Sequence, residues 1–239
     1  MRKIGILKPL SIAFIACFLA AQVAIANEVK IGVTAPIDIN NHASLQRGAK
    51  AFVNHCLNCH SANYMRYNRL VDIGLTEAQV KDNLMLAGEK IGDPMRVAMT
   101  PADGKKWFGV APPDLSVEVR ARGADWIYAY LRGFYRDSTT PTGWNNAVYD
   151  KVAMPHVLYE LQGEQVLNHE THKLELVKHG KLSPSEYNAY VGDLTNFMAY
   201  MAEPKQQSRK QLGLWVLLFL GVLLVLAKLL KNEYWKDIK

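Results

Sequence analysis

Apolar positions along this chain recur mainly with a helical period, broken by long stretches that show no period at all. The spacing predicts a first helix over residues 45–55, running directly into a pair of cysteines. A second begins at Thr76, where Gln79 three residues on completes a capping box and Val80, Leu84 and Met85 share one side. A third is expected over 124–136, where Trp126, Tyr130 and Phe134 recur every four residues with Ile127 and Leu131 beside them. The fourth carries the strongest start and stop signals. Ser183 caps it, Pro184 takes the first helical position, Glu186 completes the box and Pro204 ends it. Its apolar stripe is Tyr187, Tyr190, Val191, Leu194, Phe197, Met198 and Met201. Residues 88–115 and 137–155 read as long Gly- and Pro-containing loops, which are uncommon unless they wrap something such as a cofactor. Residues 164–167 and 173–177 suggest a small hairpin. The expected body is mostly α.

Both ends read as membrane signals. Arg2, Lys3 and Lys8 precede an apolar stretch, and Ala24-Ile25-Ala26 supplies the small residues of a cleavage site, so 1–26 is expected as a signal peptide. Cys17 would leave with it, and a bacterial export route fits better than a longer, Arg-rich transit peptide. Near the other end, residues 212–230 hold no charge except Lys228, close to the ~20 residues that a helix needs to cross a bilayer. Trp215, Tyr234 and Trp235 are candidate interface anchors. The expected organisation is a periplasmic body over 27–204, a linker over 205–211, a single span over 212–230 and a cytoplasmic tail over 231–239. The export signal sets this orientation, because basic residues flank the span on both sides.

Composition changes the picture at one point. The formal charge of +6 suggests a polyanion partner, but of 28 Lys and Arg, three lie in 1–26 and seven in 205–239. Only two of 22 acids lie in those ends, leaving 18 basic against 20 acidic residues in the body. The basic excess belongs to the termini, and nucleic acid is set aside as a partner.

The chemistry concentrates in Cys56-Leu57-Asn58-Cys59-His60. Two thiols three residues apart sit one turn from each other and match the two vinyl groups of a haem edge, and the following histidine can swing beneath the iron. Cys-x-x-Cys-His therefore marks attachment of one covalent haem c, with His60 as an axial ligand. A zinc site built from Cys56, Cys59, His60 and His55 would be too crowded for an ordinary tetrahedron. A thioredoxin-type redox pair would follow a strand in a βαβ setting rather than a helix. For the sixth ligand, Met65 is too close to His60, while Met85, Met198 and Met201 lie on helix faces where methionine is usually core filler. Met154, in Val152-Ala153-Met154-Pro155 at the end of a long loop, fits best. Met99, in Ala98-Met99-Thr100-Pro101, is next, and His156, His169, His172 or His179 would give a bis-His haem. Met/His ligation favours Fe(II) and an oxidising carrier.

These residues sit in a longer pattern that resembles the cytochrome c1 family, the haem subunits of quinol–cytochrome c oxidoreductase (cytochrome bc1) complexes. It runs from Arg47-Gly48 through His60-Ser61, Tyr64-Met65-Arg66-Tyr67-Asn68-Arg69-Leu70, Ala111-Pro112-Pro113-Asp114-Leu115-Ser116 and Ala121-Arg122. It continues with Ala153-Met154-Pro155, Met201-Ala202-Glu203-Pro204 and a C-terminal anchor. The resemblance implies Cys56 and Cys59 as thioether attachments, His60 and Met154 as axial ligands, and Arg122 beside a haem propionate. It implies a mostly helical c-type haem domain that takes single electrons from a Rieske iron–sulfur protein and passes them to a soluble c-type cytochrome. Cytochrome b would be its membrane neighbour, in a dimeric complex of the bacterial cytoplasmic (inner) membrane. The chain would be an electron-transfer subunit and not an enzyme by itself. The alternatives are a tethered monohaem cytochrome of another respiratory chain, or a periplasmic thiol–disulfide oxidoreductase using Cys56 and Cys59. His156 departs from the family pattern, where many relatives continue with proline, and residues 164–181 match nothing in it.

Overall fold

The computed structural model describes residues 32–168 and 170–237; the expected signal peptide and His169 lie outside them. Among these residues the order is α1 (His42–His55), β1 (Ala62–Arg66), a 3-10 helix (Tyr67–Ile73), α2 (Glu77–Asn83), β2 (Pro94–Met95), α3 (Pro101–Phe108) and α4 (Glu118–Arg122). Then come α5 (Ala124–Arg132), β3 (Phe134–Arg136), β4 (Trp144–Asn146), α6 (Tyr159–Gln162), β5 (Gly163–Asn168), β6 (Lys173–His179), α7 (Pro184–Ala202) and α8 (Gln206–Tyr234). Each of the three antiparallel pairs, β1–β2, β3–β4 and β5–β6, stands as its own two-stranded sheet.

The core forms where α1 and α5 pack on α7. Phe52 of α1 and Phe197 of α7 are fully buried with ring centroids 5.7 Å apart, each worth about 1.5–3 kcal/mol of apolar burial. The capping boxes read at Thr76 and Ser183 are both present. The expected stripe of α7 is buried except for half-buried Tyr190, but burial extends round the helix to Gly192, Thr195 and Asn196. Asn196 is tolerated there because it is satisfied. Its Nδ2 donates to the Asp38 carbonyl (2.8 Å) and to Ser44 Oγ (3.0 Å), and its Oδ1 accepts from Asp38 N–H (2.9 Å).

Three expectations need correction. The helix predicted over 124–136 stops at Arg132, and Phe134–Arg136 pairs as a strand with Trp144–Asn146. Gly133 interrupts the period, and Asn146 Nδ2 donates to the Tyr130 carbonyl (2.8 Å), satisfying an acceptor that a longer helix would use internally. The expected loop over 88–115 contains α3, capped by Thr100 with Pro101 in its first turn and ended by left-handed Gly109. The stretch 205–211 is not a linker, since α8 begins at Gln206 and runs unbroken for 29 residues, about 43 Å. That helix is long and apolar enough to cross a membrane, and none of its hydrophobic stretch is buried within the chain.

The stretch around residues 164–181 holds the β5–β6 hairpin, whose pairing runs from Gly163 with His179 to Asn168 with Lys173. Gln165 Nε2 donates to the Phe134 carbonyl (2.9 Å), and Glu164 pairs with Arg136 (2.9 Å) and Lys178 (3.1 Å), tying the hairpin to β3.

Candidate haem site

The cysteine turn is a continuation of α1. Cys56 N–H donates to the Phe52 carbonyl (2.8 Å), and the Cys56 carbonyl accepts from Cys59 N–H (3.0 Å) and His60 N–H (2.9 Å). The chain therefore winds once more after the helix, with the thiols one turn apart and His60 directly after them. Cys56 is buried, Cys59 half-buried, and both are free thiols. Burial pushes the Cys56 thiol up to about 12, with the neighbouring Cys59 adding to the shift. Beside Cys59 lies a cleft of about 370 Å³ bordered by Ser61, Val97, Met99 and Pro112.

His60 is 9% exposed, and its Nδ1 lies 2.8 Å from the Pro113 carbonyl oxygen. A carbonyl can only accept, so Nδ1 carries the proton and Nε2 presents a lone pair. Burial lowers the His60 pKa; the Pro113 bond and the charges of Glu118 and Asp114 oppose it only in part. A neutral imidazole fixed through Nδ1–H is the form in which histidine ligates a metal.

Residues 112–116 strap the segment that follows His60. Leu115 N–H donates to the Ser61 carbonyl (2.9 Å), Asp114 Oδ2 accepts from Asn63 N–H (2.8 Å) and Nδ2 (2.7 Å), and Ser116 Oγ accepts from Tyr64 N–H (3.0 Å). Asp114 Oδ1 takes Ser116 N–H at 2.8 Å. Burial would raise the Asp114 carboxyl, but hydrogen bonds from Ser116 and Asn63 outweigh it and hold the group below its ordinary value. Residues 112–116 stand out in the sequence only as a family marker; the structure gives them the task of orienting His60.

Met154 lies elsewhere, on an aromatic wall. It packs with Tyr130 against Phe134, Trp144 and Val152. The rings run in series: Trp126 stacks on Tyr130 (4.9 Å, 11°), Tyr130 meets Phe134 edge-on (5.2 Å), and Phe134 stacks on His156 (4.8 Å, 3°). His156 then meets Trp144 edge-on at 4.9 Å. A guanidinium covers each end, Arg122 over Trp126 (4.5 Å) and Arg136 over Trp144 (4.0 Å). Arg122 also pairs with Glu118, one turn back in α4. Glu118 acts electrostatically on His60 and Arg122 on Tyr130, so the α4 pair influences both groups of residues.

The other ligand candidates separate by position. Met65, Met198 and Met201 are buried in the core, Met85 is half-buried just past the end of α2 and not on its face, and His172 and His179 are exposed on the hairpin. His156 is enclosed by Phe134 and Trp144, and burial pushes it down to about 4. Met99 borders the cleft beside Cys59, the same cleft that Pro112 borders. Residue-by-residue reading missed the Pro113 carbonyl, Glu118 and the Tyr130 hydroxyl; only the Trp126–Tyr130–Phe134 spacing hinted at the last.

Comparison with known proteins agrees across the body. The model of the Cytochrome C1 family matches residues 33–238. The chain is 54% identical over 211 residues to the ammonia monooxygenase gamma subunit of Nitrosomonas europaea, covering 88% of this chain and 90% of that one. It is 50% identical over 216 residues to cytochrome c1 of Allochromatium vinosum (86% and 88%) and 30% identical over 239 residues to cytochrome c1 of Rhodospirillum rubrum (82% of each). A family match of this extent, joined to half-identity with a cytochrome c1 over most of both chains, means that the chain belongs to the cytochrome c1 family.

Proposed function

We propose that this chain carries one haem c, bound through thioethers to Cys56 and Cys59, with His60 and Met154 as axial ligands and Arg122 beside a propionate. Bound haem supplies a one-electron Fe(III)/Fe(II) couple. The protein's own residues do the rest: Pro113 fixes the His60 tautomer, the 112–116 strap fixes its position, and the aromatic wall keeps water from the sulfur side. The observation that carries this reading is the Nδ1–H bond from His60 to Pro113, which leaves Nε2 of a buried, neutral imidazole free to bind iron.

Position supports Met154 over Met99. Met99 borders the same cleft as Cys59 and Pro112, next to the Pro113 that holds His60, whereas a second iron ligand would come from a group of residues apart from these. Met154 belongs to the separate wall built by α5, β3 and β4. The same geometry weighs against a dithiol oxidoreductase, whose attacking cysteine needs a lowered pKa; Cys56 is buried and shifted the other way.

In this reading residues 1–26 direct export, the body faces the periplasm, and α8 anchors it in a bacterial cytoplasmic membrane beside cytochrome b. Single electrons pass from a Rieske iron–sulfur protein to a soluble c-type cytochrome, within a dimeric complex. The test is to express the full chain in a host that matures c-type cytochromes, denature and reduce it, and stain for haem. Haem that stays with the chain at one per polypeptide supports the assignment; a colourless chain with two titratable thiols overturns it. Co-purification with cytochrome b and an iron–sulfur subunit supports the proposed partners, and co-purification with monooxygenase subunits instead would replace them.

A further inference from the structure

The Tyr130 hydroxyl lies 3.4 Å from Met154 Sδ and donates to it. A thioether is a weak acceptor, and a part-buried phenol ordinarily finds oxygen. Here the ring leaves the hydroxyl little choice of direction. One face stacks on Trp126 at 4.9 Å and 11°, and the edge of Phe134 closes from another side at 5.2 Å. The backbone beneath is pinned as well, since Asn146 Nδ2 donates to the Tyr130 carbonyl. Methionine has three freely rotating side-chain bonds and fills gaps in many shapes. A donor held this firmly converts that adaptable side chain into one with a defined sulfur position.

We propose that Tyr130 is a positioning residue for Met154, holding the thioether by its hydroxyl and drawing electron density from the sulfur. The inference rests on the reading of Met154 as an axial ligand. The sulfur has two lone pairs, so accepting O–H on one is compatible with donation to iron through the other. Sulfur that shares density with a hydrogen bond donates less to the metal. The thioether favours Fe(II) because it is a soft and weak donor; a hydrogen bond that weakens its donation further extends that preference, so the bond raises the reduction potential.

Four holoproteins test this: the unaltered chain, Tyr130→Phe, Met154→Leu and the double variant, each studied by redox titration and by the sulfur–iron charge-transfer band in the red. Tyr130→Phe keeps the ring and its two aromatic contacts and removes only the donor. The expected result is a lower potential, a threefold to tenfold shift of the oxidation equilibrium, where tenfold is about 59 mV for one electron. The band should weaken or move in Tyr130→Phe, and adding this substitution to Met154→Leu should change the potential no further. An equal drop in both backgrounds would show that Tyr130 acts other than through the sulfur, and would overturn the proposal. So would an unchanged potential and band in Tyr130→Phe while Met154→Leu abolishes the band, an outcome that leaves the ligand assignment standing. A sulfur band that survives in Met154→Leu removes the ligand assignment and this proposal together.

Discussion

The carbonyl oxygen of Asp193 in α7 lies so close to Gly48 in α1 that a Cβ added to the glycine would sit 2.1 Å from it. The neighbouring Arg47 reaches across the same crossing, with Nε and Nη2 on the two oxygens of the Asp193 carboxylate at 2.6 and 2.9 Å. Hydrogen bonding to Asp193 raises the Arg47 pKa despite slight burial. Arg47-Gly48 thus sets how closely the helix bearing the cysteines approaches α7.

Gly48→Ala is expected to force these helices apart. The obstacle is backbone rather than a movable side chain, so the cost should reach about 1–3 kcal/mol. Thermal unfolding of the holoprotein should show a midpoint several degrees lower. An unchanged midpoint would mean that the crossing is not close-packed there.

Met154→Leu should leave haem on the chain and lower its reduction potential, while Met99→Leu should leave the potential near its original value. Redox titration of the two variants compares them directly. An unchanged potential in Met154→Leu would move the assignment to Met99 or to a histidine.

Asp114→Asn tests the strap through pH. The carboxyl titrates below the ordinary 3.8, so the stability it confers is complete above that value and disappears as pH falls through the lower, folded-state value. Asparagine offers one acceptor oxygen in place of two and cannot hold all the donors from Asn63 and Ser116. Denaturant unfolding at pH 7 should find the variant weaker by about 1–2 kcal/mol after allowance for solvent screening. The gap should close in strong acid; a gap that persists there would assign the effect to packing.

Gly163→Val should open the base of the β5–β6 hairpin, where Gly163 faces His179. This glycine has φ +93°, and a Cβ would stand 2.0 Å from the Lys178 carbonyl oxygen. Faster amide exchange through 163–179 with little change at α1 or α7 is the expected signature. Uniform loss of protection would instead make the hairpin part of the core.

Much of this was legible in the sequence, for local reasons. Capping boxes act within four residues, so Thr76–Gln79 and Ser183–Glu186 announced α2 and α7 correctly. Thr100-Pro101 and Gly109 carry equally local signals for α3, but no apolar period in the surrounding stretch accompanies them. The end of α5 was harder to read. The aromatic spacing continued smoothly to Phe134, and what stops the helix includes an Asn146 side chain arriving from a strand ten residues beyond Arg136. At the candidate site, Cys56, Cys59 and His60 stand out in the sequence because they lie within five residues of one another. The Pro113 carbonyl and the Tyr130 hydroxyl act 53 and 24 residues away from their partners, and nothing local encodes such distances.

The depth at which Cys56 lies bears on how the protein is made. Cys56 is buried in the folded chain, so its sulfur is easier for a ligase to reach before the helices meet than after. On the proposed export and attachment, the bonding of haem to this sulfur would belong to the newly exported polypeptide, before tertiary structure closes over it. The finished molecule would then record the order of its assembly: a chain that collapsed too early would keep its cysteines bare.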